Sequence, residues 1–131
     1  MGTTDPQLRI FAAGIIRRIT ATSNQAWATA QKIGLVRASN RGRELYCLED
    51  AYRLALSQDL RSFGLDAREI ATLVPAILEV DFALEGSWTC VWDTFLVRLM
   101  VDAQGIAASV DEALAHLSVT LAAEPLEEAV V

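Results

Sequence analysis

The sequence predicts a mainly α-helical fold with a small β component. Apolar residues recur at intervals of three and four along much of the first 80 residues, as expected for amphipathic helices. Polar, glycine-containing breaks separate these stretches. Residues 35–37 and 43–46 look extended, and residues 88–101 are rich in β-branched and aromatic side chains. We therefore expect mostly helices, with strands flanking one loop and near the C-terminus.

Two helices joined by a short polar turn are predicted near the N-terminus. Residues 8–19 carry a single apolar stripe at helical spacing. Residues 20–24 are polar and rich in side chains that cap helices. The second helix is expected from about residue 23 to 33, and Gly34 should end it. Its inward face would carry Trp27, Ala30 and Ile33.

A short basic hairpin is expected after the second helix. Its strands would be residues 35–37 and 43–46, joined by a loop over residues 38–42. Asn40 and Gly42 tolerate the positive backbone angles that a tight hairpin requires. The loop would therefore present its arginines to solvent.

Two further helices follow the hairpin. The first is expected over residues 48–62, with acidic side chains in its first turn and Gly64 beyond its end. The second begins at Asp66 and runs to about residue 77. Pro75 would either kink this helix or end it.

The C-terminal part has a different pattern. Residues 88–92 and 95–101 have strand composition, and residues 102–105 form a turn signal, so we expect a hairpin that returns through residues 106–110. A helix would then begin at Asp111 and continue towards residue 123. A single helix over residues 92–100 is the alternative that apolar periodicity leaves open.

Length and composition suggest two parts in a soluble protein. The chain has 131 residues, 53% of them hydrophobic, with a mean hydropathy of +0.30, yet no apolar run reaches the roughly 18 to 20 residues of a membrane span. Residues 1–80 and 81–131 are expected to form two domains. The N-terminus does not resemble a secretory signal, which favours a cytoplasmic location, and the apolar surplus suggests contact with another subunit.

Charge is distributed unevenly along the chain. The formal net charge is −6, but residues 1–63 hold nine Lys and Arg against five Asp and Glu, a net of +4. Residues 64–131 hold two basic and twelve acidic residues, a net of −10. The basic half could face phosphates, whereas the acidic half must face something else.

Signatures of catalysis or metal binding are missing from the sequence. Cys47 and Cys90 lie far apart with no Cys or His clustered around them, and His116 is the only histidine. No nucleophile motif and no glycine-rich phosphate loop occurs. We therefore expect no metal, no cofactor and no enzymatic activity.

The order of elements over residues 12–74 is typical of a winged helix-turn-helix. Within it, residues 14–74 resemble the DNA-binding region of the MerR family of transcription regulators. The resemblance is carried by KIGLV at 32–36, RASNRGRELY at 37–46, LEDA at 48–51 and LRSFGLDAREI at 60–70. Family members usually have arginine and paired tyrosines on the second helix, where this chain has Gln25, Thr29 and Ala30.

The resemblance and the charge pattern together predict the contacts to DNA. The second helix would meet a major groove, and arginines of the loop and of the first helix would meet phosphates. The predicted DNA-binding residues are Arg17, Arg18, Ser23, Asn24, Gln25, Thr29, Lys32, Arg37, Asn40, Arg41, Arg43 and Tyr46. Three aromatic residues are candidates for a dimer interface or a ligand pocket: Trp88, Trp92 and Phe95.

The function expected is therefore a sequence-specific transcription regulator that binds double-stranded DNA as a homodimer. Two alternatives remain open. One is a winged-helix protein-interaction module, an anti-activator or accessory factor that binds a protein partner through its acidic half. The other is a phage-type accessory protein of DNA packaging or recombination.

Overall fold

The computed structural model describes residues 7–38, 44–83, 88–94, 96 and 98–123. Within these residues the chain is mainly helical, with two small antiparallel sheets of two strands each. The elements in chain order are β1 (Phe11–Ala12), α1 (Ala13–Ile19), α2 (Asn24–Lys32), β2 (Leu45–Tyr46), α3 (Leu48–Ser62), α4 (Ala67–Leu78), β3 (Trp88–Asp93), β4 (Arg98–Asp102) and α5 (Ala103–Ala123). The coarse fold class is therefore confirmed.

Local capping signals set the ends of α2, α3 and α4. The Ser23 side chain accepts a hydrogen bond from the Ala26 amide at 3.1 Å and starts α2. Gly34 and Gly64 follow α2 and α3 with φ of +81° and +97°, in the left-handed region that glycine favours. Asp66 and Glu69 exchange hydrogen bonds in a capping box at the start of α4. These helices match the prediction within a residue or two.

Pro75 lies inside α4, which continues to Leu78. The alternative that this proline ends the helix is therefore wrong. Burial explains why α4 continues, because Val74 and Ile77 on either side of the proline are in the core. Packing of an apolar face outweighs the local cost of one lost hydrogen bond.

The prediction starts the first helix too early, at residue 8, whereas α1 begins at Ala13. Residues 11–12 form β1, which pairs with β2 in the register Phe11 with Tyr46 and Ala12 with Leu45. The predicted pairing of residues 43–46 with residues 35–37 is wrong for Leu45 and Tyr46, and residues 39–43 lie outside the described residues. Tertiary contacts that no local pattern reveals hold the segment before β1: the Arg9 side chain donates to the carbonyl of Arg37, and its Nη1 lies 3.5 Å from Oδ2 of Asp50.

A C-terminal hairpin is present, but the predicted return strand over residues 106–110 is wrong, because these residues lie in α5, which begins at Ala103 and not at Asp111. β3 and β4 pair antiparallel with Trp88 opposite Asp102, so the chain reverses between residues 93 and 98. The alternative helix over residues 92–100 is wrong. Residues 102–105 start α5 instead, because Asp102 Oδ1 accepts a hydrogen bond from the Gly105 amide at 3.0 Å. An aspartate uses the same bond in turns and at helix starts, so the sequence signal was ambiguous.

One hydrophobic core joins the N-terminal helices to the C-terminal elements. Buried side chains of α1, α3 and α4 belong to the same cluster as Val91, Val101 and Val110. The Tyr52 hydroxyl of α3 also donates to Oδ1 of Asp111 on α5 at 2.7 Å. The proposed domain boundary at residue 80 stays a prediction. Among the helices described, none is long and apolar enough to cross a membrane.

Candidate nucleic-acid interface

The turn between α1 and α2 is held by buried hydroxyl groups. Thr20 Oγ1 donates to the carbonyl of Ile16 at 2.8 Å and lies 2.6 Å from Thr22 Oγ1. Gln58 Nε2 of α3 donates to Thr22 Oγ1 at 3.1 Å. Ala21 between the threonines has φ of +53°, a conformation that glycine adopts more easily. These contacts fix the direction in which α2 leaves α1. We call α1, this turn and α2 the helical corner.

The outward face of α2 is polar and open to solvent. Asn24, Gln25, Ala28 and Lys32 are exposed, whereas Trp27 and Ala30 are buried as predicted. Within the described part of the chain, the side chain of Gln25 makes no hydrogen bond. Its amide can therefore donate to and accept from a base edge in a major groove.

Arg17 holds the first residue of α2. Its Nη2 donates to Oδ1 of Asn24, which ties the end of α1 to the start of α2. One lone pair of that oxygen is thereby occupied, while the amide nitrogen of Asn24 remains available. Thr29 Oγ1 is also engaged within the helix, donating to the carbonyl of Gln25 at 3.0 Å. Arg17 and Thr29 therefore contribute mainly by stabilising the helical corner through these internal hydrogen bonds, and less by offering side chains to a ligand.

Some cations of the basic half are paired with carboxylates, and others are not. Arg53 is neutralised by Glu49 at 2.7 Å and by Asp50 at 3.2 Å, and Arg9 also lies against Asp50. By contrast, no carboxylate of the described residues lies within salt-bridge distance of Arg18, Lys32 or Arg37. These three cations are exposed. Positive charge thus remains on α1, on α2 and on the segment that follows α2.

The Asp50 carboxylate holds together the contacts around the first turn of α3. It is 1% exposed, and its Oδ2 accepts a hydrogen bond from the Cys47 amide at 3.1 Å. Burial, with the Asp50 charge as a second cause, raises the pKa of the Cys47 thiol. The thiol therefore stays protonated at neutral pH, and it lacks the electropositive setting of a reactive cysteine. This cluster supports α3 rather than forming a reactive centre.

Some predicted residues are placed differently from expectation. The prediction that Tyr46 binds DNA is corrected, because this side chain is only 1% exposed. Its ring packs edge-on against Trp27, with the ring centroids 5.0 Å apart, and its hydroxyl accepts a hydrogen bond from Gln31 Nε2. It cannot contact DNA from this position. Asn40, Arg41, Arg43 and Phe95 lie outside the described residues. Trp88 is exposed and Trp92 half-buried on the C-terminal hairpin.

Sequence reasoning missed the residues that hold the turn. Thr20 and Thr22 are recognisable only as members of a polar turn, and nothing local marks Gln58, which lies 36 residues from its partner. The usable signal was two threonines flanking one residue in the turn, since such hydroxyls often bond to the preceding helix.

Comparisons with protein-family models, with curated proteins and with solved structures found no match to this chain. The resemblance to MerR regulators thus remains a prediction from the residues that carry it.

Proposed function

We propose that the protein is a sequence-specific, DNA-binding transcription regulator that acts as a homodimer. The observation that carries this proposal is the helical corner. It exposes hydrogen-bonding side chains at the start of α2, with Lys32 at the other end of the same helix. Neighbouring cations without a carboxylate partner among the described residues accompany it.

The chemistry of this surface divides into two roles. Gln25 and Asn24 carry amides that can distinguish adenine from other bases, since adenine offers one acceptor and one donor in the major groove. Arg18, Lys32 and Arg37 supply charge for phosphates, where contacts need reach rather than base recognition. Arg41 and Arg43, which lie outside the described residues, are expected from the resemblance to add phosphate contacts.

A homodimer follows from the small size of the surface. The short helix α2, accompanied by the exposed cations Arg18, Lys32 and Arg37, gives weak binding in a single copy, because each phosphate contact adds little by itself. Two linked copies raise the effective concentration of the second helix at its half-site. A symmetric operator with half-sites about one helical turn apart is therefore expected.

Binding of duplex DNA at several salt concentrations tests the proposal. DNA selected from a randomised duplex pool by the wild-type chain is titrated with wild type, with Arg18→Ala/Lys32→Ala, and with the control Arg68→Ala. Arg68 is an exposed arginine on α4, outside the corner and not among the predicted DNA-binding residues. We expect the double variant to bind more weakly and to lower the slope of log K against log salt by about 2, one per lost phosphate contact.

The selection also tests specificity. Gln25→Ala should bind selected and random duplexes with more similar affinity, while the salt slope changes little, because a base contact releases no counterion. Failure to enrich any sequence, or equal losses for Arg68→Ala and the double variant, would contradict the proposal.

A further inference from the structure

An open groove with apolar walls lies where α3 meets the C-terminal elements. It has a volume of about 330 Å³ and lies between the end of α3, the base of the β3–β4 hairpin and the first turns of α5. Three large apolar side chains line it and remain exposed: Phe63 at 69%, Trp88 at 63% and Met100 at 38%. We call this the aromatic groove. None of its lining residues belongs to the helical corner.

The hairpin carries large apolar side chains on both of its faces. Val91 and Val101 point into the core, as alternation along the strands requires. Trp88 and Met100 lie on the opposite face, on adjacent strands in the register that pairs Trp88 with Asp102 and Cys90 with Met100. An antiparallel hairpin normally presents polar residues on its solvent face. Exposed aromatic and thioether side chains converging from separate elements indicate a surface that another molecule covers.

Carboxylates accompany these apolar side chains. Asp59 of α3 and Asp102 of β4 line the groove, and no lysine or arginine is among its described lining residues. In the described part of the molecule, the Asp59 carboxylate forms no ion pair. Arg98 is directed elsewhere, since it pairs with Asp93 at 3.3 Å near the far end of the hairpin.

We propose that the aromatic groove docks a segment of a partner protein that carries lysine or arginine next to an apolar anchor. The anchor fills the space between Phe63, Trp88 and Met100. The cation is recognised twice, by the Asp59 and Asp102 carboxylates and by the faces of the aromatic rings. Aromatic pockets flanked by charge are where interfaces concentrate their affinity.

The charges decide among possible occupants. A symmetric contact between two copies would bring the same carboxylates towards each other, and a nucleic acid would bring phosphates to them, so both are disfavoured. A small organic cation would stay largely exposed in so open a groove, whereas binding pockets bury most of a small ligand. A protein segment can cover the whole groove and reach both acids.

Peptide display on the immobilised full chain tests the docking proposal without depending on DNA binding. A random peptide library is selected on wild type, and enriched peptides are synthesised and titrated against four variants. Phe63→Ala and Trp88→Ala remove the walls, and Leu96→Ala is the matched control, because Leu96 is 86% exposed and outside the groove. Asp59→Asn removes one acid and is paired with Glu79→Gln, an exposed acid at the end of α4.

Enriched peptides are expected to carry a net positive charge and at least one large apolar residue. Phe63→Ala and Trp88→Ala should each weaken their binding about tenfold or more. Asp59→Asn should weaken it about threefold and flatten its salt dependence. Leu96→Ala and Glu79→Gln should leave it unchanged.

Other results would overturn the proposal. These are no enrichment, enrichment of neutral or acidic peptides, or binding that the groove variants and the control variants affect equally. A dimer that Trp88→Ala converts to monomer in sedimentation would assign the groove to a second copy. Duplex DNA binding lost in Trp88→Ala but kept in Arg18→Ala/Lys32→Ala would assign it to nucleic acid.

Discussion

The helical corner and the aromatic groove expose opposite chemistry on one small molecule. The corner presents polar side chains and cations, and its geometry is fixed from within by Thr20, Thr22 and Gln58. The groove presents aromatic rings beside carboxylates, on elements whose other faces are buried in the shared core. The overall charge of −6 describes neither surface. A chain can therefore be acidic as a whole and still offer a surface suited to a polyanion. The condition is that the cations of that surface are not neutralised by ion pairs with carboxylates of the same chain.

Removing the Asp50 carboxylate is expected to have the largest effect on the stability of the protein. Asp50→Ala removes a buried carboxylate that caps α3 and neutralises Arg9 and Arg53. We expect the free energy of unfolding in urea to fall by about 3 kcal/mol. Asp59→Ala is the control, because Asp59 lies on the same helix but is exposed, and its effect should stay within about 0.5 kcal/mol. Similar losses for both variants would refute the role of Asp50.

The Tyr52 hydroxyl links α3 to α5, and its removal should have the next largest effect on stability. Tyr52→Phe deletes the hydrogen bond to Asp111 and should lower the free energy of unfolding by about 1.5 kcal/mol. Burial, followed by the Asp111 hydrogen bond, raises the pKa of Tyr52 above its ordinary value of 10.0. A raised pKa means that the folded state holds the proton more tightly. The stability from Tyr52 is thus full below pH 10 and declines above it.

Denaturation of wild type and Tyr52→Phe between neutral pH and pH 11 checks this sign. The gap between the two proteins should narrow above about pH 10. A gap that widens with rising pH would show that the buried hydroxyl does not act as described.

Loosening the turn should have a smaller effect confined to the corner. Thr22→Val keeps the side-chain volume but removes the acceptor for Gln58 and the partner of Thr20. We expect a loss of about 1 kcal/mol by thermal denaturation. Thr72→Val on α4 is the matched control, since Thr72 is exposed and bonds only to its own helix. Equal changes in both variants would mean that the turn is not held by these hydroxyls.

The smallest predicted change is a gain in stability. Ala21→Gly relieves the positive φ in the turn, although glycine also raises the entropy of the unfolded chain. The net gain should be about 0.5 kcal/mol in urea denaturation. Ala28→Gly, at an exposed position within α2, should instead lose about 1 kcal/mol. Destabilisation by both variants would place the positive φ of Ala21 in doubt.

The same two regions differ in how far the sequence predicts them. Boundaries of α2, α3 and α4 follow from Ser23, Gly34, Gly64 and Asp66, because each cap acts on residues within the next turn. The β1–β2 pairing escapes such reasoning, since it joins Phe11 to Tyr46 and Ala12 to Leu45, residues 35 and 33 positions apart. Asp102 shows a second limit, because the local bond it makes serves a turn or a helix start equally well.

The candidate sites divide in the same way. An outward face on α2 follows from helical periodicity, and Gln25 and Lys32 were predicted on that ground. The burial of Tyr46 was not predicted, because it depends on contact with the ring of Trp27, which lies on another element. The aromatic groove is formed by α3, the hairpin and α5 together, so the sequence could nominate Trp88 but not Met100.

The most direct test of the separation between the two surfaces is an NMR titration of the labelled full chain with the duplex it selects. We expect chemical-shift changes in the amides of Asn24, Gln25 and Lys32, with the indole signal of Trp88 unmoved. Shifts concentrated at Trp88 and Phe63, with α2 unperturbed, would contradict this separation.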